Sequence, residues 1–336
     1  MEIGKFPASL LEKLLARNPI EDPKVILGPR VGEDVAVLDM GERLLVATSD
    51  PVTFATDLIG WYAVQVNAND VACAGASPRW FLATLLAPER FSEDEAEAVF
   101  DQILEACRSV GATLIGGHSE VTYGIDRPII MGTMLGEVER EKLISTGGAR
   151  KGDSIVLTKG IAVEGTALLA RERGQALLEA GVLRDSIAKA AGWLSNPGIS
   201  VVKDACIACA VARVHSMHDV TEGGLATGLR EVAKASGLGL AVEEGSIPVF
   251  PECREVCQAL RLNPLGLLAS GALLVTLPAT DVPALLAALE KENIDGWEIG
   301  QMLAPEEGLL LTGAGGEAAL PQFPRDELAR YFASTL

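Results

Sequence analysis

The chain has 336 residues, 49% hydrophobic and 22% charged, and its 46 acidic side chains outnumber 28 basic ones for a formal net charge of −18. That composition supports two domains with cores of their own and excludes a disordered chain. The acidity, with no Lys/Arg run to interrupt it, excludes a nucleic-acid partner. No apolar run reaches the ~20 residues that span a bilayer, and the opening MEIGKFPASLLEKLL has no signal-peptide core. The six cysteines show no disulfide-framework pattern, so a cytoplasmic protein with no membrane partner is expected.

In chain order, Ser9 with Glu12 reads as a capping box for a helix that buries Leu10, Leu11, Leu14 and Leu15. Short strands follow at Val25–Leu27, Val35–Leu38 and Leu44–Thr48. The first two flank Gly28-Pro29-Arg30-Val31-Gly32-Glu33-Asp34, a glycine-rich loop ending in two acids. Such a loop can offer backbone N–H groups to phosphate and carboxylates to Mg²⁺, or serve as a surface turn. The third strand runs into Thr48-Ser49-Asp50-Pro51, which puts another carboxylate at a strand end.

The stretch Gly60–Arg79, GWYAVQVNANDVACAGASPR, is the most informative. Ile59, Ala63, Val66, Val71 and Ala74 recur at helical spacing, with Asn67, Asn69 and Asp70 among them and a Gly75-Ala76-Ser77-Pro78 stop. Burying an amide or carboxylate without a partner costs about 1–3 kcal/mol or more. Asn69 and Asp70 therefore want a metal, a donor or a ligand, or else they tie down the helix end and nearby backbone. Trp80–Leu86 reads as a buried strand, and Ser92 with Glu95 caps a helix that runs through Val110 and closes at Gly111. Thr113–Ile115 is then a strand feeding a tight polar turn, Gly116-Gly117-His118-Ser119-Glu120-Val121, before a strand at Ile129–Leu135. A lone histidine is more often structural than functional, but the paired glycines before His118 shift that balance toward a site.

The polar, glycine-containing join Ser145–Gly152 marks a boundary, giving domains over 1–148 and 149–336. After a core strand at Ile155–Thr158, helices are expected at Glu164–Arg173, Asp185–Leu194, Ser200–Ala212, Leu225–Ser236, Glu252–Leu260 and Val282–Glu292. Strands are expected at Leu240–Val242, Ala272–Leu277, Trp297–Met302 and Leu309–Thr312, which makes an α/β sandwich. In Met217-His218-Asp219-Val220-Thr221-Glu222-Gly223-Gly224-Leu225 a strand turns into a helix through two glycines, a second candidate anion site. Cys206 with Cys209, and Cys253 with Cys257, read as core cysteines on helices rather than as a zinc or redox site. There is no Ser-His-Asp arrangement, no G-x-x-x-x-G-K-[ST] loop and no G-x-G-x-x-G after a strand.

Five motifs then fall in a characteristic order: GEDVAVL at Gly32–Leu38, TSD at Thr48–Asp50, VNANDVACAGASPR at Val66–Arg79, GGHSEV at Gly116–Val121 and HDVTEGGL at His218–Leu225. In that order they resemble the aminoimidazole ribonucleotide (AIR) synthetase, or PurM-like, superfamily. Its members include formylglycinamidine ribonucleotide synthetase, thiamine-monophosphate kinase, selenophosphate synthetase and the hydrogenase-maturation HypE proteins. The chain most resembles the HypE-like, AIR synthase-related subgroup.

The resemblance implies a PurM-like two-domain fold of the α+β and α/β classes. An N-terminal sheet would pair with that of a second subunit as a barrel-like homodimer, beside a C-terminal α/β sandwich. It implies ATP and Mg²⁺ as cofactors and phosphorylation of a small-molecule or carrier acceptor. By motif match, Asp34, Asp50 and Asp70 would hold the metal, with Gly32, Asn67, Asn69, Gly116 and Gly117 around the nucleotide. Gly223 and Gly224 would bind with Asp219 on the acceptor side, and Asp50, Asp70, His118 and Asp219 are the catalytic candidates.

Departures narrow the subgroup. No cysteine precedes Asp34, as selenophosphate synthetase would require, and thiamine-monophosphate kinase carries an acid where His118 stands. HypE proteins end in a cysteine that accepts the carbamoyl group, whereas this sequence ends Arg330-Tyr331-Phe332-Ala333-Ser334-Thr335-Leu336. The expectation is an ATP- and Mg²⁺-dependent enzyme activating a small acceptor. The alternatives are a thiamine-monophosphate-kinase-like phosphotransferase and a non-catalytic nucleotide-binding maturation factor.

Overall fold

Burial alternates residue by residue along Leu44–Thr48 and through most of Ile129–Val138, the period-two pattern of strands in a sheet covered on one side. Asp153–Thr158 and Ser216–Val220 are buried at every position and belong to a second sheet, the first as an inner strand and the other at its edge. The computed structural model describes residues 6–53, 55 and 57–335. It divides into two units. One comprises Pro19–Pro29 and Asp34–Leu143; the other comprises the N-terminal stretch up to Asn18, Arg30–Glu33 and the chain from Ile144 onward.

The elements begin with α1 (Ala8–Leu15), in the C-terminal unit. The N-terminal unit contains β1 (Val25–Leu27), β2 (Ala36–Asp39), β3 (Leu44–Thr48), β4 (Pro51–Val52), α2 (Ile59–Cys73), β5 (Ser77–Ala87), α3 (Glu93–Val110), β6 (Thr113–Val121) and β7 (Ile129–Val138). Its sheet runs β1-β2-β3-β7-β5-β6, with β4 also on β7. Only β5 and β6 are parallel, and they are joined through α3. The capping box forms as expected, Ser92 and Glu95 bonding reciprocally, with Gly111 left-handed at the other end.

The C-terminal unit contains β8 (Asp153–Thr158), α4 (Val163–Glu172), α5 (Gly174–Glu179), α6 (Arg184–Ala191), α7 (Val202–Val211), β9 (Ser216–Val220), α8 (Gly224–Ser236) and β10 (Gly239–Glu243). It continues with α9 (Pro251–Leu260), β11 (Ala272–Pro278), α10 (Val282–Lys291), β12 (Gly296–Leu303), β13 (Leu309–Gly313), β14 (Gly316–Ala319) and α11 (Glu327–Thr335). Its sheet order is β14-β13-β10-β12-β8-β11-β9, antiparallel except for β10 with β13. Ile155, Leu157, Val220, Leu225, Leu229, Leu240, Leu274 and Met302 share one core. Arg230 donates to the carbonyls of Leu320 and Pro321 and so fastens the segment that leads to α11.

Three local expectations are corrected. Ser9 does not cap α1: Pro7 holds the N-cap position, the Leu10 and Leu11 N–H groups donate to its carbonyl, and Leu14 is exposed. Gly116–Val121 is not a turn, because pairing with β5 continues from Thr113 to Val121 and the tripeptide of strand residues before it simply extends. Cys206 and Cys209 are exposed, since α7 buries Asp204, Ala205 and Ala208 on its other side; Cys253 and Cys257 are in the core as expected.

Candidate functional site

In the N-terminal unit, the packing of α2 explains where its polar groups go. A Cβ on Gly132 would lie 2.5 Å from Asn67 Nδ2, and one on Gly136 would lie 2.3 Å from a Val71 methyl, so these two glycines of β7 let α2 sit close against the sheet. At the start of the helix Gly60 does the same for α3, and its N–H donates to Gln102 Oε1 at 3.1 Å. Thirteen of the fifteen α2 residues are buried, among them Gln65, Asn67, Asn69 and Asp70.

Close approach lets Asn67 grip the β3–β4 corner. The Asp50 N–H donates to Asn67 Oδ1 at 2.9 Å, and Asn67 Nδ2 donates to the carbonyls of Ala63 at 2.8 Å and Asp50 at 3.3 Å. About one helical turn further along the same face, the Thr48 hydroxyl donates to Asp70 Oδ2 at 2.7 Å and lies 2.9 Å from the Asp34 carbonyl oxygen. Ser49 Oγ donates to the Gly132 carbonyl at 2.9 Å, and the Gly132 N–H donates to the Asp50 carbonyl at 2.9 Å. A corner of backbone is thereby fixed from three sides. Asp70 is 4% exposed, whereas Asp34 and Asp50 are exposed.

Asn67 is thus used structurally, and the network joins the backbones of Asp34 and Asp50 and the carboxylate of Asp70 beside α2. Among the described residues those three carboxylates do not place an oxygen each within 4.8 Å of one another. Thr48, Ser49 and Gly132 are the members that spacing did not single out. Thr48 and Ser49 lay in view within the TSD motif, but nothing in the sequence ties Gly132 to Asn67.

The remaining N-terminal candidates go elsewhere. Strand register sets Gly117 opposite Ala83 and Ala83 opposite Gly132, on the face covered by α2. His118 pairs with Thr84, and Thr84 with Met131, so these three share the opposite face, away from Asn67. His118 is exposed and stands 3.1 Å from Glu120 Oε2. Gly117, at φ +151, is needed for strand pairing itself, since a Cβ there would lie 1.9 Å from the Ala83 carbonyl oxygen. Gly116 is exposed on β6.

Gly32 packs in the C-terminal unit. Its φ is +91, and a Cβ would lie 3.3 Å from the Glu231 carbonyl oxygen. The next residue, Glu33, accepts the N–H groups of Thr146 and Gly147 at 3.2 Å each, so the first acid of the GED motif ties down a turn.

The HDVTEGGL motif behaves differently from the anion site expected of it. Gly223 (φ +80) caps α8, and Gly224 (φ +63) begins it where a Cβ would meet the Leu265 carbonyl oxygen at 2.6 Å. The Gly223 N–H donates to Asp326 Oδ2 at 2.6 Å, so the chain already supplies a carboxylate to this helix end. Buried Asp219 and Glu164 stand in the same region, and His218 Nε2 is 3.0 Å from Glu231 Oε2. Burial pushes the Glu164 carboxyl up to about 7, and nearby Asp326, Glu222 and Asp219 add to the shift. Burial likewise pushes Asp326 up to about 6. Neither Glu164 nor Asp326 was singled out from the sequence, because only the fold joins α4, the turn before α8 and the segment before α11.

Residues 32–138 match the AIR synthase related protein N-terminal domain, and residues 150–310 match the C-terminal domain of the same family. The chain is 31% identical over 320 residues to carbamoyl dehydratase HypE of Cupriavidus necator, covering 90% of this chain and 86% of the relative. It is 28% identical to a putative hydrogenase expression/formation protein of Methanocaldococcus jannaschii, covering 87% and 85%. A crystal structure of hydrogenase maturation protein HypE in complex with ATP has a TM-score of 0.74, with 25% identity and 92% of each chain covered. The structure of AaThiL complexed with AMPPCP and TMP has a TM-score of 0.70, covers 94% of each chain and, at 21% identity, shares the fold. This chain thus shares the two-domain PurM-like architecture with both solved structures. Among the described residues no helix is long and apolar enough to cross a membrane.

Proposed function

The chain belongs to the AIR synthase related protein family, and on that premise we propose that it is an ATP-dependent enzyme that activates a small acceptor by phosphoryl transfer. The observation that carries this reading is the Thr48–Asp70 hydrogen bond at 2.7 Å, beside the Asn67 clamp on Asp50. A carboxylate buried and held in place next to two exposed acids is costly to keep unless it serves a ligand. The similarity to a HypE structure holding ATP supports the choice of nucleotide.

Phosphoryl transfer asks little covalent chemistry of a protein, and positioning with charge neutralisation supplies most of the rate. Asn67 fixes the backbone on which Asp50 stands, and Thr48 fixes the Asp70 carboxylate. The donors Asp34, Asp50 and Asp70 are hard oxygens that form no three-carboxylate cage among themselves, so they would hold Mg²⁺ one or two at a time beside the phosphate oxygens of the nucleotide. When bound, the ion neutralises phosphate charge. On the C-terminal unit, Asp219, Gly223 and Gly224 serve the acceptor.

The protein acts as a homodimer in this reading. β6 ends its sheet, with Ile115 and Val121 exposed, and the face opposite α2 exposes Met131. Such an apolar edge and face calls for a second copy.

Calorimetric titration of Mg·ATP into the wild type and Asp70→Asn, with ADP release followed in the same samples, tests the proposal. Saturable binding lost in a folded Asp70→Asn protein supports it. Absence of binding to either protein at millimolar nucleotide overturns it.

A further inference from the structure

Four acidic side chains from three separate stretches of the sequence meet in the C-terminal unit. Glu164 lies in the first turn of α4, Asp219 in β9, Glu222 in the turn before α8, and Asp326 just ahead of α11. Asp326 is fully anchored, with the Gly223 N–H donating to Oδ2 at 2.6 Å and the Leu328 N–H to Oδ1 at 2.7 Å.

Glu164 is not. It is 7% exposed, the Ser270 hydroxyl bonds its carboxyl, and Oε2 has no hydrogen-bond partner among the described residues. The charged groups bearing on it, Asp326, Glu222 and Asp219, are all acidic. A buried carboxyl oxygen without a donor is unfavourable, and three further acids around it make it more so. What the cluster lacks is a group with both N–H donors and positive charge. A bare divalent ion fits poorly, because no three of these carboxyl groups place oxygens within 4.8 Å of one another. A planar or tetrahedral organic cation spreads its donors over a wider span and can reach several acids at once.

We propose that Glu164, Asp219, Glu222 and Asp326 form a subsite that takes the cationic, N–H-bearing end of the acceptor, a guanidinium, amidinium or primary ammonium group. Glu164 supplies the buried oxygen that has no partner, and Asp326 and Glu222 are both partly exposed. This inference rests on the reading that the C-terminal unit serves the acceptor.

The test is calorimetry on the full chain at pH 8, with and without Mg·ATP, using methylguanidinium chloride, acetamide, sodium acetate and MgCl₂ as separate probes. Methylguanidinium is expected to saturate while acetate does not. Glu164→Gln, which preserves shape, is expected to weaken methylguanidinium binding about tenfold and leave Mg·ATP binding unchanged. Asp326→Asn serves as the second variant, with thermal melts to verify folding. Because Glu164 is pushed up to about 7, affinity for the cation should fall as the pH is lowered from 8 to 6 and the carboxyl takes its proton. The proposal is overturned if methylguanidinium does not saturate at millimolar concentration. It is also overturned if acetamide or acetate binds as tightly, or if MgCl₂ alone binds in a manner lost with Glu164→Gln. Loss of Mg·ATP binding with the cation still bound would instead remove the nucleotide reading and leave this subsite standing.

Discussion

Thr48 Oγ1 lies 2.7 Å from Asp70 Oδ2 and 2.9 Å from the carbonyl oxygen of Asp34, so one hydroxyl links the end of β3 to α2 and to the backbone of the GED motif. Both acceptors draw on a single proton, and the shorter bond goes to the side chain that the proposed function uses.

Thr48→Val keeps the shape and removes that proton. Leaving Asp70 buried without it should cost about 1–3 kcal/mol of stability, with Mg·ATP affinity reduced about tenfold, whereas Thr48→Ser should behave like the wild type. Urea unfolding and calorimetry read the two effects separately. A Thr48→Val protein with unaltered affinity would show that Asp70 needs no such anchor.

Gly132 is where the sheet makes room for Asn67. Its Cβ in Gly132→Ala would come within 2.5 Å of Asn67 Nδ2 and 2.8 Å of the Phe81 ring. The helix must move or the amide must turn, at about 1–3 kcal/mol for overpacking. Because Asn67 holds the backbone of Asp50, nucleotide affinity should fall along with stability. A variant destabilised to this extent but binding Mg·ATP normally would separate the Asn67 clamp from the site.

Lys159 Nζ stands 3.3 Å from Asp204 Oδ1 and donates to the Ser200 carbonyl at 2.5 Å, with both side chains buried. Burial pulls the Lys159 ammonium down from its ordinary range while Asp204 opposes that pull. Asp204→Ala strands the charge and should destabilise by about 3–5 kcal/mol, whereas Lys159→Met combined with Asp204→Leu should lose far less. Chemical denaturation of the three proteins decides. Equal losses would mean that the pair contributes through packing and not through charge compensation.

The Glu164 carboxyl, pushed up to about 7, sets a pH dependence of definite sign. A folded-state value above the unfolded one near 4.3 means that its contribution is fully present below that lower value and is lost as the pH rises through 7. The loss amounts to about 3 kcal/mol by pH 8 in the ligand-free protein, with Asp326, at about 6, adding in the same direction. Glu164→Gln should flatten the fall in Tm between pH 5 and 8. Parallel curves for the two proteins would mean that Glu164 is solvated and ionises freely.

Much of the architecture was readable from one sequence because its cues are local. The Ser92–Glu95 box, the Gly111 stop and the period of α8 or α10 depend on neighbours three or four residues away, and each lies where it was expected. The strand at Leu44–Thr48 was legible for the same reason. Expectations failed where a longer-range partner outweighed the local cue. Gly116-Gly117 looks like a turn until β5 is available to pair with it, and the cysteines of α7 look like core until the helix buries its other face.

The sites divide along the same line. By itself the sequence determined that Asn67, Asn69 and Asp70 would be polar groups inside an apolar helix, since spacing alone forces them onto buried turns, and its motif order determined the family. Only the tertiary structure decided which of them serve structure and which are left for chemistry. Asn67 is spent on the backbone of Asp50 because Gly132 lets the helix approach, and His118 falls on the opposite face of the sheet because register, with its period of two, assigns sides. Glu164 meets Asp326 only once α4 and the segment before α11 are folded against the same helix end. Hydrogen bonds and charge effects act over a few ångströms, and for residues far apart in the chain only the fold sets that distance.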